Sequence, residues 1–166
     1  MNVTLTQEEV WLGQWLGKCA NKAAANKGQY DTRTPDAMTR KVLTNLEIQT
    51  MGYWGQIAWC KAMNTYQPIA FKPDIYDAIS QCGRTVDVKT CQYRSGSLAV
   101  GQDKIGRLCD VYVLVTGEVP HYIIRGYMAG DDVITRPGEL NGKPCFRVSQ
   151  SELYPTIEEA MNWREK

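Results

Sequence analysis

Histidine is nearly missing from this chain: His121 stands alone, and none of the six cysteines is paired in a Cys-x-x-Cys. Neither a zinc finger nor a Cys-His zinc site can therefore be assembled by spacing. Long apolar runs are also lacking. The longest, Val111 to Val115 and Tyr122 to Ile124, fall far short of the roughly 20 residues needed to cross a bilayer. Met1-Asn2-Val3-Thr4 lacks the basic-then-apolar form of a secretion signal, so no membrane association or export is expected. There is no Gly-x-x-x-x-Gly-Lys-Ser/Thr loop, no glycine-rich dinucleotide fingerprint after a strand, and no nucleophile elbow. Excess charge is lacking too, since 19 Lys and Arg stand against 18 Asp and Glu. The molecule as a whole exerts little long-range pull on a polyanion.

What is present is more informative. The 166 residues, 43% hydrophobic, suffice for one substantial core but not for two ordinary domains. A single domain over 1–166 is expected, with an N-terminal helical part (1–51) and a core (52–166). The cysteines Cys19, Cys60, Cys82, Cys91, Cys109 and Cys145 read as buried free thiols of a reducing, cytoplasmic compartment. Charge is unevenly spread: residues 16 to 41 carry six basic against two acidic side chains, residues 84 to 107 five against two, and the tail from Gln150 four acidic against two basic. That polarity is compatible with nucleic acid meeting one side.

Thr6 and Glu9 form a capping box ahead of Trp11, Leu12, Trp15, Leu16, Cys19, Ala20 and Ala23, which predicts a helix over 7–27. Thr34 as N-cap with Pro35 at the first turn predicts a second helical start, running on through Met38, Val42, Leu46 and Gln49. Gly52 and Gly55 weaken it and suggest a bend at Gly52. From Pro68 the pattern becomes extended: strands over 69–79 and 84–91, joined by a turn at Ser80-Gln81-Cys82-Gly83 with Gly83 left-handed, then a hairpin of 108–116 with 121–128. Residues 129–144 read as one surface excursion, Phe146-Arg147-Val148 as a short strand, and 156–164 as a final helix with an acidic first turn. The order indicates an α/β or α+β fold with a mixed sheet.

Asp87 and Lys89 are two apart on a predicted strand and emerge on one face, while Val86 and Val88 point to the other, into the core. Asp77, across the turn, could bring a second carboxylate alongside, with Asp74 a competitor for that place. Two carboxylates from separate strands suit a hard cation, Mg²⁺ or Mn²⁺. Lys89 could orient or deprotonate a water, or stabilise charge growing on a phosphoryl oxygen. The plainer alternative is a salt-bridged pair on the wet side of a strand.

The stretch Ile75-Tyr76-Asp77-Ala78-Ile79, the turn ending in Gly83, and Arg84-Thr85-Val86-Asp87-Val88-Lys89-Thr90 resemble the core of the PD-(D/E)xK nuclease superfamily, the restriction-endonuclease-like fold. Asp110 to Val115, His121 to Gly126 and Tyr154-Pro155 resemble its later elements. The resemblance implies a mixed sheet flanked by helices, a Mg²⁺- or Mn²⁺-dependent deoxyribonuclease, and Asp77, Asp87 and Lys89 as catalytic residues. The metal would be held by Asp77, Asp87 and the Val88 carbonyl. DNA is the implied partner, RNA is not excluded, and a homodimer or protein partner is compatible. Such a compact chain suits a repair or packaging accessory or a small restriction-like enzyme of a phage or mobile element, acting in the cytoplasm, an infected host's included.

One departure from the pattern stands out. Where many members carry a helix glutamate in Gly-Glu-x-Ala, Gly55-Gln56-Ile57-Ala58 places Gln56. Glu47 could substitute only across a bend at Gly52. The neutral Gln56 also supports a second reading, a non-catalytic nucleic-acid-binding or assembly protein that keeps the fold. Thr90 and Gln92 are accessory candidates, Gln92 for orienting water. Arg84, Arg94, Lys104 and Arg107 are candidates for phosphate contacts. Among the aromatics, Tyr53 and Tyr93 are the better base-stacking candidates, while Trp11, Trp15, Trp54 and Trp59, at helical spacing, read as core.

Overall fold

Helix α1 spans Gln7–Asn26 and opens on the expected box: the Thr6 amide donates to Glu9 Oε2 at 2.6 Å and the Glu9 amide to Thr6 Oγ1 at 3.3 Å. A short strand that the sequence reading missed, β1 (Asn2–Thr4), precedes it. The computed structural model describes residues 1–26, 43–65, 67 and 76–162. The helical start expected at Thr34-Pro35, most of the strand expected over 69–79, the competitor Asp74 and the end of the helix expected over 156–164 lie outside them.

The second described helix, α2 (Asn45–Ala62), has its own N-cap, Thr44, in a capping box with Glu47. It passes through Gly52 and Gly55 as one uninterrupted helix rather than two. Glycines instead let the helices approach closely. A Cβ at Gly13 would overlap the Trp54 ring, one at Gly17 would overlap Thr50, and one at Gly55 would overlap the Thr90 side chain of the sheet beneath. The Trp54 indole N–H locks the crossing by donating to the Val10 carbonyl at 2.9 Å. Helix α2 also holds the chain's first residues, since Lys61 Nζ reaches the Thr4 carbonyl and Glu9.

The main sheet contains β1, β2 (Ala78–Ile79), β3 (Thr85–Cys91), β5 (Val111–Glu118) and β6 (His121–Ala129) in the order β1-β6-β5-β3-β2. It is mixed. The β2–β3 and β5–β6 hairpins are antiparallel as expected, whereas β3 runs parallel to β5. Gly83, at φ +79°, closes the first hairpin, with its N–H on the Ser80 carbonyl. Parallel neighbours need a crossover, and here it carries β4 (Leu98–Gly101) and a 3₁₀ turn (Gln102–Lys104). Strand β4 pairs with β8 (Lys143–Val148), which pairs with β7 (Pro137–Leu140), forming a second sheet. The expected surface excursion over 129–144 therefore holds α3 (Gly130–Val133) and β7, and the late strand is longer than expected. Helix α4 (Ile157–Asn162) closes the described chain.

The result is a mixed α/β fold, with a curled sheet flanked by helices. On one face Val86, Val88, Val111, Val113 and Val115 pack with Leu16, Ile57 and Trp59 from the helices. On the other, Tyr112, Leu114 and Met128 pack with Leu98, Val100, Phe146 and Val148 of the second sheet. Among the described residues no helix is long and apolar enough to cross a membrane.

Candidate functional site

Because β2 and β3 pair with Ala78 opposite Val86, antiparallel register sets Asp77 opposite Asp87. The Asp77 amide donates to the Val86 carbonyl at 2.9 Å, and Asp77 Oδ2 accepts the Val88 amide at 2.8 Å. Asp77 thus lies in the plane of the sheet at the edge of β3. A strand residue points its N–H and C=O to the same side, so the Val88 carbonyl is directed to this edge too.

Asp87 and Lys89 share a face as expected, but it is not a wet one. The second sheet covers it, and Asp87 is only 3% exposed. Two cations compensate its burial: Lys89 Nζ lies 2.5 Å from Oδ1, and Lys104 Nζ, from the 3₁₀ turn, lies 3.3 Å from Oδ2. The Lys89 ammonium stands 6.0 Å from the centre of the Tyr112 ring, the register neighbour of Asp87 on β5. Burial opposes the charge on Lys89, but Asp87 as charge and hydrogen-bond partner, with Asp77, outweighs it and holds this pKa above its ordinary value. The Asp77 pKa is raised as well, but here the shift disfavours the charged form. Burial first and the Asp87 charge second raise its carboxyl to about 6, against the pull of Lys89, the Val88 amide and Lys104.

The remaining candidates divide sharply. Tyr53, Gln56 and Cys60 follow one another at i, i+3 and i+7 along one stripe of α2. Burial raises the pKa of both Tyr53 and Cys60, and the Asp77 charge adds to each. Gln56 therefore sits between two side chains that sense Asp77, and its amide oxygen accepts from Gln67 at 3.3 Å. Glu47 is elsewhere. Its carboxylate is engaged by the N-cap, and it lines a cavity of about 610 Å³ on the helix side of the sheet together with Lys18, Thr90, Gln92 and Glu118. Thr90 and Gln92 thus turn away from the acidic pair. Gln92 lies beyond the end of β3 and donates to the Tyr93 hydroxyl at 2.7 Å, so it is not placed to orient a water at Asp87.

Of the four cations assigned to phosphate, Lys104 belongs to the cluster itself. Arg84 lies 3.8 Å from Asp110, Arg107 pairs with Asp103 at 2.9 Å, and Arg94 is exposed. Nothing local in the sequence marked Lys104 as a partner of Asp87. The tryptophans split too. Trp59 is fully buried, but Trp11 and Trp15 are 58% and 51% exposed, against the expectation of core. They share one stripe of α1 with Lys18 and Lys22, both exposed. His121 is exposed, 3.3 Å from Thr4 Oγ1. None of the six cysteines is in a disulfide, and Cys60, Cys109 and Cys145 are buried while Cys82 is exposed.

Among the described residues no group of three or more Asp, Glu, His or Cys side chains converges. The donors available to a cation are two carboxylates facing each other in the β2–β3 register and a strand carbonyl. Such a set suits Mg²⁺, which keeps several waters and commonly takes one or two carboxylates, provided that Asp87 is released from a lysine. No protein-family model matches this chain, and comparisons with curated proteins and with solved structures give no match.

Proposed function

We propose that this protein is a metal-dependent nuclease that hydrolyses phosphodiester bonds in DNA. The observation that carries the reading is the meeting of Asp77 and Asp87 on paired strands with two lysines held against them. Asp77, Asp87 and the Val88 carbonyl would hold Mg²⁺ or Mn²⁺, which when bound polarises the phosphoryl oxygen and lowers the pKa of bound water. Lys89, fixed on β3, would place a positive charge beside the non-bridging oxygens of the pentacoordinate phosphorus, where negative charge gathers. Water oxygen forms the new bond to phosphorus, the bond to the departing sugar oxygen breaks, and the proton lost by water balances the one gained by that oxygen.

The stripe of Trp11, Trp15, Lys18 and Lys22 supports nucleic acid as the ligand class, since flat rings and ammonium groups together suit stacked bases and their phosphates. The test is incubation with single-stranded, duplex, flapped and branched DNAs and with RNA, with Mg²⁺ or Mn²⁺ and with a chelated control. Metal-dependent cleavage is expected; equal products in the chelated arm would remove the reading.

A second reading is a nucleic-acid-binding or assembly protein in which the cluster is structural. Its support is that both Asp87 oxygens already face ammonium groups and that Gln56 is neutral. Calorimetric titration with Mn²⁺ separates the two: saturable binding is expected of the nuclease, and none of the binding module. Gln56→Glu should tighten Mn²⁺ binding if a carboxylate on this stripe of α2 reaches the cation as a further charged oxygen ligand.

A further inference from the structure

We infer that Lys104 is an exchangeable counter-ion of the acidic pair, holding Asp87 until a divalent cation takes its place. The inference rests on the metal-dependent reading above.

A carboxylate as buried as Asp87 is costly without compensating charge. Both of its oxygens are compensated, by lysines of very different anchorage. Lys89 belongs to β3, a seven-residue strand that pairs with β5 along its length, Lys89 opposite Leu114, and with β2 at its start. Lys104 ends a three-residue 3₁₀ turn that buries none of its residues and has no side-chain cap, with exposed Ile105, Gly106 and Arg107 following. Gly106, at φ +83°, sits beside open space. The two lysine side chains are similarly covered, but the Lys104 ammonium can withdraw together with its short turn, whereas the backbone of Lys89 is fixed in the sheet. A cation ligated by Asp87 needs an oxygen lone pair that now faces an ammonium. Oδ2 is the one whose partner can withdraw, and Lys104, once released, is a free cation at the rim, available to a phosphate.

Charge arithmetic supports the exchange. With Asp77 ionised, two carboxylates and two ammonium groups make the cluster neutral. Adding a divalent cation while Lys104 stayed would leave two uncompensated positive charges in a largely buried site. Departure of Lys104 halves that excess, and a nucleic-acid phosphate can remove the remainder. Metal and substrate would then favour each other's binding.

The experiment is calorimetric titration of the full chain with Mn²⁺ at fixed ionic strength, comparing wild type with Lys104→Gln, Lys104→Arg and Arg107→Gln. Lys104→Gln removes the competing charge and should tighten Mn²⁺ about tenfold. Lys104→Arg should weaken it, because a guanidinium grips a carboxylate with two parallel bonds. Arg107→Gln removes an exposed, screened charge of the same loop and should change affinity less than about twofold. The affinity order Gln above wild type above Arg supports the exchange, as does binding seen in Lys104→Gln alone. Unchanged affinity in both Lys104 variants, with wild type binding saturably, overturns the inference and leaves the metal site standing. No binding in any protein overturns both. Should Lys104→Gln fail to fold, Lys104→Arg decides alone: weaker binding supports the exchange, and equal or tighter binding overturns it.

Discussion

The two faces of β3 differ in kind although both are covered. Towards the helices, Val86 and Val88 meet hydrocarbon, and Thr90 lies under Gly55. Towards the second sheet, Asp87 and Lys89 emerge beside Tyr112 and meet Lys104. The hydrocarbon face holds the fold together, because burying apolar area is favourable wherever it happens. The charged face contributes little net stability, since the desolvation of its ions offsets their attraction. A strand that alternates in this way carries packing and chemistry on successive residues, and substitutions on its two sides should fail in different ways.

The largest expected effect is from Asp87→Asn. Cleavage should fall by at least about 10³-fold, through loss of a charged ligand. Because Asp87 is buried between two lysines rather than exposed, the same change should also lower stability by about 2–3 kcal/mol, seen in chemical denaturation. Full activity in the folded variant would show that the charged face carries no chemistry. On the opposite face, Gly55→Ala thrusts a methyl group into Thr90 and should cost about 2–3 kcal/mol. Activity per folded molecule should hold to within a few-fold. A loss of turnover without a loss of stability would mean that the two faces are not separable.

The third expectation concerns pH. The Asp77 carboxyl, raised from 3.8 to about 6, binds its proton more tightly in the folded protein than in the unfolded chain. Its stabilising contribution is complete below about pH 4 and is lost as pH rises through 6, amounting to up to about 3 kcal/mol. In metal-free buffer Asp77→Asn should flatten this slope between pH 4 and 6, read from urea midpoints at several pH values. An unchanged slope would place the responsible proton elsewhere. The smallest effect belongs to α1, where the same contrast of faces recurs: Trp11→Ser should leave stability within about 0.5 kcal/mol. It should weaken single-stranded DNA binding about fivefold, measured by fluorescence anisotropy, which is the low end for one stacked base.

Much of the local structure is legible in the sequence. The Thr6–Glu9 box, the turn at Gly83 and the opposition of Asp77 to Asp87 depend on residues close together in the chain, and each is present. The second sheet is not legible in this way, because Leu98 finds Val148 only by long-range pairing, and alternation along β3 reads identically whether its polar face meets water or another sheet. For the same reason the partnership of Asp87 with Lys104 had no local signal. Trp11 and Trp15 depart from the sequence pattern on a different ground. Large aromatics at helical spacing read as the buried face, yet α1 presents Val10, Gly13, Leu16 and Gly17 to its neighbour. Close helix contact selected the smallest residues, and the largest were left outside.

Strand β1 also sets an order of events during synthesis. Thr4 lies against His121, 117 positions further along the chain, so β1 waits for a strand made much later. At ordinary translation rates the interval is roughly 6–25 s. Helices α1 and α2 are complete well within it and can dock through Gly13, Gly17 and Trp54 while β1 stays unpaired. Until then the helical pair carries an unpaired segment, and β6, on emerging beside β5, converts it into a strand at the edge of the sheet.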